Sequence, residues 1–422
     1  MSDPSPATAA EAAPHAALRF RDFRLFQAAR LASVLSSEMI AVAVAWQIYG
    51  FTHRALSLGF AGLAVFLPSF LLFLPAGHAV DRFDRRGVLL VVQSSYAAIA
   101  TLLLVVTLGG ERSPGPIYAI LALQGTVRAF GAPAGQALMP ELVPEAHFAN
   151  AVTWGSSTFM MGTIVGPGLG GLVYAWAGGA GGVYALAAVC YLTSLSFTYA
   201  IRRRTGRMEP RNVSLETLLA GFHYVRDNPV ILGSISLDLF AVLLGGAVAL
   251  LPIYASDVLH VGVRGLGVLR AAPSVGAMLM ALLLAFHPLK RRAGKLMLGC
   301  VALFGAATVG FGLSRNFVLS LVLLAIVGAS DMVSVVVRQT LVQILTPNQM
   351  RGRVSAVNML FIGTSNQFGE FESGLTAQWW GAVRATIYGG IGTLLVVSLW
   401  WRFFPALRNV ESLRAPKAPA PA

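Results

Sequence analysis

The feature that most constrains this chain is a series of apolar runs, each about as long as a helix that crosses a bilayer, roughly 20 residues. The runs cover residues 27–51, 57–78, 87–108, 116–137, 148–176, 181–201, 230–255, 264–287, 295–313, 317–342, 353–378 and 382–404. Charged residues make up only 12% of the chain, about half of their usual share in a soluble domain. The sequence therefore predicts an all-α membrane protein with 12 transmembrane helices.

The distribution of basic residues predicts how these helices are oriented. If the loops alternate between two sides, 22 of the 31 Lys and Arg residues fall on one side, 5 fall on the other and four lie within spans. Basic loops stay on the cytoplasmic side of a membrane. Both termini are thus expected in the cytoplasm. Because the basic residues flank apolar spans, the net charge of +13 indicates membrane orientation and argues against nucleic acid as a partner.

The two halves of the chain resemble each other at a nearly constant offset. Pro68 recurs as Pro273 at an offset of 205, and residues 136–144 recur as residues 339–347 at 203. Such a register indicates an internal repeat, here two pseudo-symmetric six-helix bundles of the same topology. The predicted organisation is a disordered cytoplasmic tail (1–20), an N-terminal six-helix bundle (21–201), a cytoplasmic linker (202–226), a C-terminal six-helix bundle (227–405) and a second disordered cytoplasmic tail (406–422).

The fifth span contains a glycine-rich stretch that spells G-x-G-x-x-G from Gly166 to Gly171. A dinucleotide-binding loop with this spelling needs a preceding strand and a helix that begins at the glycines, whereas these glycines lie inside an apolar span. Gly162 and Gly166 instead form G-x-x-x-G, which lets another helix approach closely. At the offset of 203, Pro167 corresponds to Glu370, so one copy of the stretch is apolar and the other is charged.

Two motifs carry a family resemblance. Residues 77–86, GHAVDRFDRR, resemble the loop signature G-x-L-A-D-R-x-G-R-R of the major facilitator superfamily, with Ala79 and Asp84 as departures. The fifth span is similar to the G-x-x-x-G-P-x-x-G-G signature of exporting drug and proton antiporters, which it matches at Gly162, Gly166, Pro167, Gly170 and Gly171. Over residues 20–405 the chain resembles the enterobactin-exporter-like and macrolide-efflux-like branch. The resemblance implies the major facilitator fold, export and a bacterial inner membrane.

The resemblance also implies a gating role for the loop after the second span, namely for Gly77, Asp81, Arg82, Arg85 and Arg86. The carboxylate of Asp81 would meet the N-terminus of the eleventh helix near Arg353, because a helix N-terminus carries about half a positive charge. This contact would hold the two halves together while the binding site faces outward. The alternative is a solvated basic loop without a gating role.

Ionisable residues inside the spans are functional candidates, because each costs roughly 2.5–3.5 kcal/mol to insert. The proton or substrate candidates are Glu38, Arg128, Asp238, Asp331, Arg338 and Glu370. Glu38 and Asp238 lead as proton carriers, since a carboxylate in a low-dielectric interior favours its neutral form. The alternatives are a structural role for Glu38 and snorkelling to the surface for Asp238. At the offset of 203, Arg128 and Asp331 occupy equivalent positions of the two halves.

These observations predict a secondary transporter that exports an amphipathic small molecule, such as a siderophore or a drug, in exchange for protons. A nucleotide-binding motif, a zinc-binding motif and a nucleophile with its base are not found. We therefore expect no enzyme activity, no cofactor and no metal, with a small-molecule substrate, protons and the lipid bilayer as partners of a monomer. The alternatives are a lysophospholipid or lipid flippase on the same fold, and a non-transporting membrane sensor.

Overall fold

The computed structural model describes residues 15–110, 112–203, 215–287, 289, 292–347 and 349–411, and the side chains of these except 81 and 215–218. The helices of the first half are α1 (Arg21–Thr52), α2 (Ala55–Leu71), α3 (Phe73–Arg82), α4 (Arg85–Leu108), α5 (Pro114–Leu138), α6 (Phe148–Trp176) and α7 (Ala180–Ala200). Those of the second half are α8 (Leu215–Asp227), α9 (Pro229–Leu244), α10 (Gly262–Phe286), α11 (Ala293–Leu313), α12 (Phe317–Leu345), α13 (Arg351–Trp380) and α14 (Ala382–Phe403). The predicted all-α fold class is confirmed.

Each of the twelve predicted spans coincides with a helix or a pair of helices. Among the described residues, nine helices are long and apolar enough to cross a membrane, or ten if the pair α2 and α3 forms one span. The other two spans, 116–137 and 353–378, form α5 and α13, which are 25 and 30 residues long. α13 is more polar because it carries Asn358, Glu370 and Glu372. The count of twelve spans stays a prediction.

Two of the spans are interrupted, and their residues explain where. α2 and α3 meet at an angle of 54° next to Pro68 and Pro75, which lack the backbone N–H that a continuous helix requires. The seventh span breaks after α9, where Gly245 and Gly246 precede a 3-10 turn, Ala247–Leu250, and a π-helical turn, Tyr254–Val258. α6, in contrast, stays helical through Pro167.

The helices form two compact units, each with its own apolar core. The first unit contains the described residues of Met1–His53, Ala64–Asn212 and Val263–Ala271. The second contains those of Arg54–Leu63, Val213–Gly262 and Ala272–Ala422. Each unit therefore includes about ten residues of a helix from the other half of the sequence. The bundle boundaries at residues 201 and 227 remain our proposal for the repeat.

The predicted tails and linker are partly helical where the structure describes them. Ala16–Arg19 of the expected N-terminal tail form a 3-10 turn in which Ala16 and Ala17 are buried, and the Ala17 N–H donates to Asn150 Oδ1. The expected linker contains most of α8. Leu407, just inside the expected C-terminal tail, is fully buried. Residues 1–14, 204–214 and 412–422 of these segments lie outside the described residues.

The register of the repeat differs from the prediction in the first three spans. Gly125 packs on the carbonyl of Val65 in the first unit, and Gly328 packs on the carbonyl of Pro273 in the second. Since Gly125 and Gly328 are related by 203, Val65 corresponds to Pro273 at an offset of 208. The starts of α4 and α11, at Arg85 and Ala293, give the same offset. The predicted 205 is wrong because a three-residue shift nearly preserves the helix face, so small apolar residues match in both registers.

Candidate functional site

The second unit contains a cluster of ionisable side chains that joins α9 to α12. Asp331, Ser334 and Arg338 follow each other at intervals of three and four residues, which places them on one face of α12. Arg338 forms an ion pair with Asp238 of α9 through Nη1 and Oδ1. The two side chains are only 1% and 7% exposed. Asp238 is thus buried and paired, and it does not snorkel to the surface. We call Asp238, Ser330, Asp331, Ser334 and Arg338 the acidic cluster.

A small cavity lies within the acidic cluster. It measures about 10 Å³ and is bounded by Asp238, Asp331, Ser330 and Ser334 together with four apolar residues. This is close to the space that one water molecule needs, about 10–15 Å³. The hydroxyls of Ser330 and Ser334 are buried without a hydrogen-bond partner among the described residues. Buried polar groups normally have such partners, so this cavity is a site where a small polar species can bind.

The charges of the acidic cluster do not cancel when all its groups are ionised. Two carboxylates, Asp238 and Asp331, face one guanidinium, Arg338, which leaves one negative charge in the interior. Uncompensated charge is costly in a low-dielectric environment. The uptake of one proton makes the cluster neutral. The arrangement can therefore bind and release a single proton.

In the first unit, Glu38 of α1 lies beside Arg270 of α10. Their Oε2 and Nε atoms are 3.9 Å apart, and the side chains are 27% and 24% exposed. The glycine motif of α6 lies next to this pair, because a Cβ on Gly166 would be 2.6 Å from the Cβ of Glu38. Glu38 therefore has a loosely paired carboxylate at the crossing of three helices.

The glycine motif of α6 provides the surface on which α1 and α10 pack. Gly162 contacts the side chain of Val34, and a Cβ on Gly170 would be 2.9 Å from the Cα of Met39. On another face, Gly171 contacts the Val263 carbonyl and Gly267 of α10. Pro167 contributes its carbonyl oxygen, 2.5 Å from the Cβ position of Gly267. The motif thus permits two close helix crossings within the first unit.

The equivalent helix of the second unit, α13, makes the equivalent crossings. A Cβ on Gly369 would lie 3.1 Å from the Leu243 carbonyl of α9, and one on Gly374 would lie 3.0 Å from the Ala55 carbonyl of α2. Glu370, at the position of Pro167, places its Oε2 2.7 Å from the Cβ position of Gly62. The carboxylate of this candidate is therefore at the α2 crossing, away from the acidic cluster on α12.

The loop signature between α3 and α4 is held in place by its arginines. Arg85 pairs with Glu141 and also donates to the Ala137 carbonyl at 2.9 Å. Arg86 donates to the Tyr199 carbonyl at 2.6 Å near the end of α7. Asp84, one departure from the family pattern, accepts from the Gly87 N–H at 2.8 Å and caps α4, as a good N-cap residue does.

The remaining signature residues lie at the end of α3. Gly77 has open space around its Cβ position, and Arg82 is exposed in the last turn. The side chain of Asp81 lies outside the described residues. Its predicted contact with the helix N-terminus near Arg353, which is the start of α13, therefore stays a prediction.

Sequence reasoning did not select two arginines that the geometry singles out. Arg270 pairs with Glu38, and Arg30 of α1 lies over the ring of Phe159 of α6, 5.9 Å from its centroid. Both arginines lie inside apolar spans, and this signal alone would have found them. Arg128, which was selected, is exposed on α5 and has no hydrogen bond or ion pair with a described residue.

Comparison with known proteins identifies the family. The profile of the transmembrane secretion effectors matches residues 12–421. The chain belongs to this family of the major facilitator superfamily. It is 28% identical over 374 residues to the enterobactin exporter EntS of Shigella boydii serotype 18 (strain CDC 3083-94 / BS512), which covers 88% of this chain and 86% of EntS. EntS of Escherichia coli O1:K1 / APEC gives the same identity and coverage.

Solved structures support the fold. The crystal structure of the POT family transporter PepTSo superposes with a TM-score of 0.73 at 12% identity, over 92% of this chain and 98% of PepTSo. A bacterial homologue of the human lysosomal transporter Spinster gives a TM-score of 0.70 at 14% identity, over 94% and 99%. At these identities the likeness concerns the fold alone. The protein is a multi-pass membrane protein with the major facilitator fold, in a family of transporters.

Proposed function

We propose that the protein is a secondary transporter of the bacterial cytoplasmic membrane, with both termini in the cytoplasm, that exports an amphipathic small molecule in exchange for protons. The acidic cluster carries this proposal, because a membrane interior holds ionisable groups mainly where ions or substrates pass. The proposed direction of transport rests on the glycine motif of α6, which resembles that of exporters, and on the relatives named as enterobactin exporters. Siderophore-like or drug-like compounds are therefore the first substrates to test.

In this proposal Asp331 carries the proton. Asp238 is paired with Arg338, while Asp331 borders the same cavity and forms no salt bridge with a described residue. Protonation of Asp331 neutralises the cluster, and its deprotonation restores one negative charge. The two states differ by one charge, and this difference would shift the conformation of the unit if its conformations interact differently with that charge.

Alternating access would require the close crossings to separate and form again. The crossings of α6 with α10 and of α13 with α2 bring backbone against backbone through Gly267 and Gly59. Small residues at these positions let the helix backbones approach closely. The loose pair of Glu38 and Arg270 lies at one of these crossings and is suited to break when the helices move.

The test begins with the substrate. Metabolites that accumulate in cells lacking the protein are identified, with iron-free enterobactin as the first compound because of the relatives. Inside-out vesicles with an acidic lumen should then accumulate the compound. Asp331→Asn should abolish the dependence on the pH gradient but retain exchange of labelled for unlabelled compound, because it blocks only the proton step.

The matched control is Asp227→Asn, since Asp227 is 70% exposed at the end of α8 and outside the cluster. It should couple like the wild type. Accumulation by the wild-type protein that ignores the pH gradient contradicts the proposal. Unchanged coupling in Asp331→Asn contradicts the assignment of the proton to Asp331. Unchanged coupling there and in the double variant Glu38→Gln/Asp238→Asn contradicts proton exchange through these carboxylates.

A further inference from the structure

Arg30 is a cation inside the first unit that has no counter-charge among the described residues. It lies nine residues from the start of α1, about 13 Å along the helix, inside the apolar span. It forms no hydrogen bond or ion pair with a described residue; its guanidinium lies only over the ring of Phe159. An unpaired arginine in a span is costly and marks a functional site by default.

The surroundings of Arg30 contain a second unsatisfied group. Gln27, one turn earlier on α1, is 6% exposed, and neither its Nε2 nor its Oε1 has a hydrogen-bond partner among the described residues. A Cβ on Gly155 would be 3.0 Å from Arg30 Nη1 and 3.6 Å from Gln27 Nε2. The guanidinium and the amide therefore flank the same point on α6, and Phe159 beside them is 47% exposed.

At the equivalent position of the repeat, the second unit has a residue of the opposite charge. At the structural offset of 208, Arg30 corresponds to Asp238, whose charge Arg338 balances. Arg338 corresponds, at 203, to Gly135, which has open space around it. The first unit thus has the cation Arg30, but it has Gly135 at the position where the second unit has Arg338, the partner of the equivalent charge. This leaves room for a negative group from a ligand.

We propose that Arg30, Gln27 and Phe159 form a binding subsite for an aromatic anion, an aryl carboxylate or phenolate of the transported compound. The guanidinium would donate charge-assisted hydrogen bonds to the anion, and the Gln27 amide would donate another. The Phe159 ring would stack on the aryl ring. The inference rests on the proposed function in that the ligand is the exported compound.

The experiment uses the full chain in phosphatidylcholine nanodiscs and two probes with the same rings. Calorimetric titration compares 2-naphthoate, an anion, with neutral 2-naphthalenemethanol. The wild type should bind the anion more tightly. Arg30→Gln should weaken naphthoate binding about tenfold or more, as expected for a lost charged hydrogen bond, and leave the alcohol unchanged. Arg24→Gln, an exposed arginine on the same helix, should keep the wild-type preference for the anion.

Two further variants address folding. Arg30→Lys keeps the charge and should lose less affinity than Arg30→Gln, while Gln27→Leu removes one donor and should lower naphthoate affinity severalfold. Variants are compared only if they elute as monodisperse protein and melt near the wild type. The proposal is overturned if the wild type does not prefer the anion, or if the folded Arg30 and Gln27 variants keep its preference.

A third arm distinguishes the transported compound from a lipid headgroup, which offers the same anionic chemistry. Adding phosphatidylglycerol to the nanodiscs should leave naphthoate binding unchanged if the subsite is for substrate. Loss of naphthoate binding in the wild type on addition of this lipid assigns the site to lipid and overturns the proposal. If Asp331-dependent coupling persists while the anion preference is absent, only this subsite is refuted and the proposed exchange with protons stands.

Discussion

The two units share the same helix crossings but differ in how they hold charge. In the second unit the Asp238–Arg338 pair is almost fully buried. In the first unit Glu38 and Arg270 are separated by 3.9 Å and are each about a quarter exposed, and Arg30 has no ionic partner among the described residues. A buried pair makes a defined local state, whereas accessible and loosely held charges can exchange partners. In the proposed function, proton binding therefore belongs to the second unit and ligand binding to the first.

The equivalent helices α6 and α13 also share their crossings but differ in polarity. α6 and α13 approach their neighbours through glycines at matching positions, Gly166 with Gly369 and Gly171 with Gly374. Between these glycines α6 has Pro167, whereas α13 has Glu370. Duplicated halves of a chain can thus preserve the backbone crossing, which needs small residues, while the positions beside it change in polarity.

The strongest way to break this comparison is to remove one member of the buried pair. Arg338→Met leaves Asp238 and Asp331 without a cation, and breaking a buried pair costs about 3–5 kcal/mol. We expect a loss of unfolding free energy of this size, measured by denaturant titration of the purified protein in detergent micelles.

The double variant Asp238→Leu/Arg338→Met is the companion measurement. Apolar replacement of both partners of a buried pair is often neutral or stabilising, so the double variant should recover most of the lost stability. It should still fail to couple transport to protons. Recovery of both stability and coupling would show that the pair serves packing alone and would remove the proposed contrast between the units.

The next effect concerns the glycine crossing of the first unit. In Gly166→Leu the new Cβ would be 2.6 Å from the Cβ of Glu38, so α1 and α6 must separate. Overpacking of this kind costs about 1–3 kcal/mol. We expect a membrane-inserted protein without transport activity, measured by membrane fractionation and by efflux of the identified compound.

Gly168→Leu is the matched control, because Gly168 lies on the same helix and has open space at its Cβ position. It should transport like the wild type. Gly369→Leu tests the second unit in the same way, since a Cβ there would be 2.9 Å from the Val242 carbonyl. Normal export by Gly166→Leu, or equal loss in Gly168→Leu, would refute the idea that close packing at this face is required.

The sequence predicted the helices well because the length and apolarity of a span depend on local composition. The fifth predicted span, 148–176, has the same bounds as α6, and the ninth, 295–313, differs from α11 by two residues. The close-packing glycine face was also visible as a spacing pattern, which requires only that the segment be helical. These properties follow from the period of the helix.

The partners of the charged residues were not predictable in the same way. The pairing of Glu38 with Arg270 depends on the crossings of α1 and α10 with α6, which local composition does not specify. The correspondence of Arg30 and Asp238 was not visible in the sequence, because the sequence match favoured an offset of 205 and the structure gives 208. Asp238 was a candidate from its span, but its burial beside Arg338 became evident only from the packing of α9 on α12.

The smallest effect sharpens the contrast between the two ion pairs. Glu38 and Arg270 are partly exposed and 3.9 Å apart, and such pairs contribute about 0.2–1 kcal/mol. A double-mutant cycle with Glu38→Gln and Arg270→Gln should give a coupling energy in this range, measured by the same titration as for Arg338→Met.

A value near that of the buried pair would mean that both units hold charge equally tightly, and the division between a proton-binding and a ligand-binding unit would lose its basis. A small coupling energy together with slower transport in each single variant would show instead that this pair acts in the moving protein, where a weak contact is useful because it breaks easily.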